Sequence, residues 1–463
     1  MFGYVILRQL TEVLSATPLH LSDSRLGAIA TGINTDSRRI QLGQVFLALR
    51  GETFDGHDFV EKAIQQGAIA AIVDSPLARE ANRLAGAFPL LLVDDTLVAY
   101  QTIARWWRNQ FTIPVIAVTG SVGKTTTKEL IAAVLATQGS VLKTQANYNN
   151  EIGVPKTLLE LGSEHDYAVV EMGMRAPGEI ALLTQIARPD IAVITNVGTA
   201  HIGRLGSEQA IANAKCELLQ ELKPSGIAVL NHDNPRLMET AANVWQGQVV
   251  TYGLEGGDFH GELLDSNTLW FEGIKLPLPL TGRHNALNYL AALAVANVLQ
   301  INWSIFKSGL TVELPKGRAR CYELPNDIVI LDETYNAGLE SMMAALHLLA
   351  EVPGQRRIAV LGTMKELGDR SLDFHHQVGK LVCQLNLDRL LILADEAESQ
   401  AMAAGASPLG AEQFSSHMEV LQRLQMLVRS GDRLLFKASR AVGLDRVVDQ
   451  FCTAMLHSSD MPN

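Results

Sequence analysis

The segment Thr119-Gly120-Ser121-Val122-Gly123-Lys124-Thr125-Thr126 carries the strongest chemical signal in this chain. A strand-sized apolar run over 113–118 precedes it, and an amphipathic helical pattern continues to about residue 136. In that order, glycines let backbone N–H groups approach phosphate oxygens and the helix N-terminus adds a positive end. Lys124 then neutralises β- and γ-phosphates, and Thr125 offers a hydroxyl to Mg²⁺. The loop is expected to bind ATP through Gly120, Ser121, Val122, Gly123, Lys124, Thr125 and Thr126. The common form of this loop has a further glycine at the position held here by Val118.

Other residues could complete such a site. Glu171 ends the apolar run 167–171, and a carboxylate at the carboxyl end of a strand can face a bound nucleotide and ligate Mg²⁺. His201, in Asn196-Val197-Gly198-Thr199-Ala200-His201, follows another strand end, although an isolated histidine is more often a satisfied structural or surface residue. Lys215 lies on a helix that Ser207 caps, between Ala214 and Cys216, and most helix lysines are simply solvated. Asn285 and Asn288 share a helix face in Gly282-Arg283-His284-Asn285-Ala286-Leu287-Asn288, which suits base recognition or a polar helix start. Asp332-Glu333-Thr334-Tyr335-Asn336-Ala337 follows a buried-looking strand and suits contacts to a ribose or an acceptor amine, or a capped turn.

These groups need an α/β frame to hold them. The chain has 463 residues, about three domains' worth. It is 47% hydrophobic and 19% charged, which supplies several cores and excludes a disordered or coiled-coil protein. Residues 1–95 alternate short strands (45–49, 68–73, 90–93) with short helices such as 59–66, the pattern of a small α/β domain. Residues 96–313 alternate strand and helix around 113–118, 167–171, 191–196 and 227–231, predicting a parallel-sheet nucleotide-type domain. A Pro/Gly break at 314–317 opens 314–463, a second doubly wound unit with strands at 328–332, 357–362, 389–394 and 433–437. The net charge of −11 argues against a general nucleic-acid or anionic-membrane binder. No run approaches the roughly 20 apolar residues of a spanning helix. Residues 1–10 lack the features of a secretory signal, so a cytoplasmic location is expected. Cys216, Cys321, Cys383 and Cys452 form no CxxC and read as reduced thiols.

The order TGSVGKTT, NYNNEIG (147–153), EMG (171–173), NVGTAHIGRLGS (196–207), AK (214–215), GRHNALN (282–288), KGR (316–318) and DETYNA (332–337) resembles the Mur ligase family over nearly the whole chain. The resemblance implies a three-domain architecture: a small N-terminal α/β domain, a central P-loop parallel-sheet ATPase domain and a C-terminal Rossmann-like domain. It also implies a cytoplasmic ATP-dependent amide-forming ligase of peptidoglycan synthesis. NYNNEIG, NVGTAHIGRLGS and TYNA select the branch that joins D-alanyl-D-alanine to UDP-N-acetylmuramoyl-tripeptide through an acyl phosphate. The alternative within the family is a ligase that adds a diamino acid to the UDP-dipeptide. From another class, a module that holds the nucleotides without forming a bond is a rival, which Glu171, His201 and Lys215 together disfavour.

What the resemblance implies residue by residue is specific. Lys124, Lys215, His201 and Glu171 would be catalytic, with Thr125 and Glu171 on one Mg²⁺ and Glu171, His201 and a carbamylated Lys215 on a second. Asn285 and Asn288 would contact adenine, Arg318 the phosphates and Asp332 the ribose. Ser37 and Arg38 would meet the uridine diphosphate, and Asn147, Asn149, Tyr335, Asn336, Lys437, Ser439 and Arg440 the substrates. A monomer that closes its domains for catalysis is expected, open when no ligand is bound. The chain departs from the family pattern at Glu333, at Ala337-Gly338-Leu339, at Cys216 and at Ala438. Asp233-Asn234-Pro235-Arg236 spells a tetrapeptide of the diamino-acid branch, but it sits in the central segment and reads as a turn.

Overall fold

Every residue of the strand Val115–Thr119 is buried, as in a parallel strand covered on both faces. Alternation then sorts its side chains. Val115 and Ala117 enter a cluster with Ile103, Leu183 and Leu218, while Ile116 and Val118 enter one with Ile131, Tyr289 and Leu290. This computed structural model describes residues 5–74 and 88–459. Residues 1–4, part of the segment read as lacking a secretory signal, lie outside the described residues.

The central sheet has nine strands, in the order Ile274–Pro277, Thr268–Phe271, Phe259–Asp265, Gln248–Gly253, Ile227–Asn231, Ile191–Ile194, Val115–Thr119, Tyr167–Glu171, Val141–Lys143. Pairing is parallel from Val141–Lys143 to Phe259–Asp265 and antiparallel over the last two pairs. Helices Lys124–Leu135 and Arg283–Val298 cover one face; Thr96–Arg108, Glu179–Ala187 and Glu208–Gln220 cover the other. The loops that leave the carboxyl ends of these strands therefore converge, the usual place for a ligand in an open α/β sheet.

An N-terminal five-stranded sheet runs Thr17–Leu19, Leu90–Val93, Ala70–Asp74, Val45–Leu47, Ile33–Asn34, with the first strand antiparallel to its neighbour. Helix Thr96–Arg108, capped by Asp95 Oδ1 accepting from Val98 N at 2.9 Å, carries the chain onward from it. The C-terminal six-stranded sheet runs Arg320–Leu324, Ile328–Asp332, Asp432–Lys437, Arg356–Gly362, Arg389–Leu393, Glu412–Gln413, parallel except at its first pair. Among the described residues, no helix is long and apolar enough to cross a membrane.

Candidate active site

The phosphate loop is held from the neighbouring strand end. Thr195 Oγ1 donates to Val122 O at 2.6 Å, Val122 N donates to Asn196 Oδ1 at 3.0 Å, and Gly198 N donates to Ser121 Oγ at 2.9 Å. Gly120 lies so close to Thr195 that a Cβ would stand 1.9 Å from its Oγ1. Gly123 adopts φ +83°, and a Cβ there would meet Asn288 Oδ1 at 2.6 Å. Lys124 opens the helix Lys124–Leu135 and folds back over the loop, with Nζ donating to Gly120 O at 2.7 Å and Ser121 O at 3.2 Å. Burial pushes its ammonium below the ordinary range, against the pull of Glu171. A loop whose lysine is satisfied by the loop's own carbonyls fits a bound triphosphate, whose oxygens can take their place.

Glu171 is the hub beside it. Its Oε2 accepts from Thr125 Oγ1 at 2.9 Å and its Oε1 from Asn149 Nδ2 at 2.8 Å. Lys128, not singled out in the sequence, is fully buried behind it: Nζ lies 4.0 Å from Glu171 Oε2, 2.8 Å from Glu129 Oε1, and donates to Thr144 O at 2.7 Å. Asn149 thus spends its amide on Glu171, whereas the sequence reading gives it to substrate. Asn147 lines the cleft. The donors Thr125 and Glu171 are hard oxygens that fit Mg²⁺, which keeps waters and takes its remaining ligands from phosphates. Among the described residues, no group of three His, Cys, Asp or Glu side chains forms an all-protein metal cage.

Lys215 faces the same cleft from helix Glu208–Gln220, whose N-cap Ser207 accepts from Ala210 N at 3.1 Å. It is 1% exposed and has no hydrogen bond or ion pair among the described residues. Burial, with Lys124 as a like-charged neighbour, holds its amine well below the ordinary lysine range. Cys216 turns into the core instead, its thiol pushed up to about 12 by burial.

Asn285 and Asn288 pack against the phosphate loop at the start of helix Arg283–Val298. Asn288 Oδ1 accepts from Thr127 Oγ1 at 3.1 Å, and Asn285 Nδ2 donates to Thr281 O at 2.9 Å. From the C-terminal unit, the Arg318 guanidinium stacks on the Tyr335 ring at 4.0 Å, with Arg440 on the same ring at 5.8 Å. Arg318 Nε is buried with no hydrogen-bond partner among the described residues, a donor that an anion in this cleft would satisfy. Lys437, 3% exposed, donates from Nζ to Asn336 O at 3.0 Å and lies 3.7 Å from Glu333 Oε2; burial lowers its ammonium. Ser439 Oγ accepts from Lys365 N at 2.9 Å.

Asp332 differs from expectation. It is 0% exposed and outside the cleft, its Oδ1 accepting from Thr334 N at 3.1 Å and Thr334 Oγ1 at 2.6 Å, and burial raises its carboxyl. Glu333 lines the cleft instead, because its N–H continues the ladder to Phe436 O at 2.9 Å and strand alternation turns the next side chain to the other face. Ser37 and Arg38 lie apart, on the N-terminal unit. Ser37 is buried, and Arg38 Nε pairs with Asp36 Oδ1 at 2.9 Å.

The C-terminal unit is closed onto the central one. Glu340 accepts from Thr199 N at 2.6 Å and from Thr199 Oγ1 at 3.2 Å, and a Cβ on Gly198 would stand 2.6 Å from its Oε1. Glu366 Oε2 lies 2.5 Å from His201 Nδ1, and its Oε1 lies 3.2 Å from Arg204 Nη2. His201 holds the Glu366 carboxyl below its usual range. Neither glutamate was found from sequence, since nothing local marks a partner so distant along the chain. Together these walls enclose about 720 Å³.

Family models match three stretches: the Mur ligase family catalytic domain over 30–104, the Mur ligase middle domain over 118–296, and the Mur ligase glutamate ligase domain over 317–440. The UDP-N-acetylmuramoyl-tripeptide–D-alanyl-D-alanine ligase of Synechocystis sp. is 58% identical over 95% of this chain and 94% of its own. The enzyme of that name from Escherichia coli is 35% identical over 96% and 97%. Among solved structures, MurF from Acinetobacter baumannii superposes with TM-score 0.86 at 32% identity, covering 98% of this chain and 99% of that one. MurF from Thermotoga maritima, solved with ADP, gives 0.83 at 30% identity over 95% and 100%. With its three domains matched and its length shared with these relatives, the chain belongs to the Mur ligase family.

Proposed function

We propose that this chain is the ATP-dependent peptide ligase that joins D-alanyl-D-alanine to UDP-N-acetylmuramoyl-tripeptide, giving the UDP-pentapeptide, ADP and phosphate for peptidoglycan synthesis. One observation carries the reading. A phosphate loop, Glu171 and buried Lys215 on the central unit face Arg318, Tyr335 and Lys437 on the C-terminal unit across a single cleft. That is the arrangement an acyl transfer needs between a nucleotide and an acceptor amine.

Lys124 exchanges its loop carbonyls for phosphate oxygens, and Arg318 meets the transferring group from the opposite wall. The substrate carboxylate attacks the γ-phosphorus, ADP leaves, and the acceptor amine displaces phosphate from the acyl carbon. Thr125 and Glu171 would hold one Mg²⁺, and Glu171, His201 and Lys215 a second; bound there, the ions would supply positive charge against the repulsion between carboxylate and triphosphate. Lys215, whose amine burial shifts toward the neutral form, would add CO₂ and shed a proton to give a carbamate anion. Asn285 and Asn288 lie where adenine is read, and Glu333 replaces Asp332 toward the ribose. Ser37 and Arg38 hold the uridine diphosphate, and Asn147, Tyr335, Asn336, Lys437, Ser439 and Arg440 the peptide ends. The units are 1–95, 96–313 and 314–463, in a cytoplasmic monomer, and their closure keeps water from the acyl phosphate.

Oxygen transfer tests the reaction. Tripeptide substrate labelled with ¹⁸O in its terminal carboxyl should yield phosphate carrying one labelled oxygen per turnover. Unlabelled phosphate alongside product would rule out the acyl phosphate.

A further inference from the structure

We infer that Glu366 is a positioning residue for ligation: delivered by the C-terminal unit, it docks on the central unit and fixes the His201 imidazole so that its free nitrogen serves the reacting site. The inference rests on the assignment of His201 proposed above. Glu366 lies in the loop after strand Arg356–Gly362, and His201 in the turn before the short helix Ile202–Leu205. Both are non-glycine residues in left-handed conformations, at φ +64° and φ +67°. Backbone in this sparsely populated region persists only where surrounding contacts enforce it.

The enforcing contacts cross the domain gap. Glu366 O accepts from Gly203 N at 3.1 Å, its Oε2 meets His201 Nδ1 at 2.5 Å, and its Oε1 meets Arg204 at 3.2 Å. A Cβ on Gly203 would lie 2.5 Å from Gly368 N, so the two loops mate only because neither residue there has a side chain. The carboxylate therefore lies against Nδ1, which is buried and makes no hydrogen bond among the described residues, and leaves Nε2, on the other edge of the ring, as the nitrogen available to the cleft that His201 and Glu366 both line. A carboxylate beside one imidazole nitrogen is the usual partner of a histidine whose other nitrogen ligates a metal, and the contact here restrains the ring's orientation. Here that partner comes from a different domain. Nucleotide can bind to the open central unit, but His201 is set for chemistry only on closure.

The test uses the full chain with Glu366→Ala, Glu366→Gln and Glu366→Asp. Glu366→Ala should lower kcat about 10- to 100-fold, with KM for ATP within about twofold. Mn²⁺ titration of the ADP complex, followed by electron paramagnetic resonance, should show the weaker of two ions loosened by about the same factor and the tighter one unmoved. Glu366→Asp should recover part of both losses. Glu366→Gln, nearly isosteric, keeps the measurement informative if the alanine variant folds poorly, and should lose kcat in the same direction. A Glu366→Gln or Glu366→Ala enzyme with unchanged kcat, or with kcat lowered but Mn²⁺ binding unchanged, overturns the inference. His201→Ala separates the levels. If it is slow while Glu366→Ala is normal, Glu366 alone is misassigned; if His201→Ala is itself normal, the reading beneath it fails.

Discussion

Replacing Lys215 by alanine is expected to abolish ligation, lowering kcat at least about 10³-fold, while ADP binds within about threefold of its unsubstituted affinity. The split follows from the site. In the proposed reading the phosphates meet Lys124 and the loop amides, and Lys124 bonds Gly120 O and Ser121 O and not Lys215, so nucleotide binding should survive. Lys215 itself is almost fully buried and has no carboxylate partner among the described residues, and its charged neighbour is another lysine. A cation there is costly, so burial and the neighbouring Lys124 shift the amine toward its neutral form. Neutral amine is the species that adds CO₂, and the resulting anion is what the site otherwise lacks opposite Glu171. Lys215→Met keeps the aliphatic stem and should fail equally, which separates lost chemistry from an emptied cavity. Removing CO₂ from the buffer should slow the unsubstituted enzyme. Phosphate release and ADP titration check all three, and turnover within tenfold in Lys215→Met would exclude the carbamate.

Arg318→Ala is expected to cost about 10²- to 10³-fold in kcat, with KM for the UDP-substrate nearly unchanged. Its guanidinium is already placed by stacking on Tyr335, and its Nε is already desolvated without a partner. Little reorganisation is therefore needed when charge develops on the transferring phosphoryl group, and the interaction strengthens as the reaction proceeds. Arg318→Lys should recover little, because a lysine offers neither the planar fork nor the stacking face. Steady-state kinetics decide it. A rise in KM at constant kcat would make Arg318 a ground-state binding group only.

Much of this frame is legible in the sequence where a residue type is forced by backbone. The phosphate loop reads directly because Gly123 needs positive φ and Lys124 must open a helix. Strands 167–171, 227–231 and 328–332 read at their ends because largely buried strands are nearly continuous apolar runs. The sheet extension Gln248–Pro277 escapes that reading. Its hairpin depends on Glu272 and Gly273 both at positive φ, and glutamate is a weak marker for such a turn. Asp332 and Glu333 are adjacent carboxylates, and only the ladder to Phe436 says which one turns inward. Asp233-Asn234-Pro235-Arg236, which reads as a turn, leads directly into helix Pro235–Val244, Asn234 Oδ1 accepting from Leu237 N at 2.9 Å. Glu340 and Glu366 become meaningful only once the C-terminal unit closes on Thr199 and His201, contacts that no local pattern encodes.

The most direct test of the central claim is acceptor choice. Phosphate release from Mg-ATP and product mass are compared for UDP-N-acetylmuramoyl-tripeptide with D-alanyl-D-alanine and for the UDP-dipeptide with meso-diaminopimelate. Release with a pentapeptide product only in the first mixture is the expected result. Release only in the second, or none in either, would contradict it.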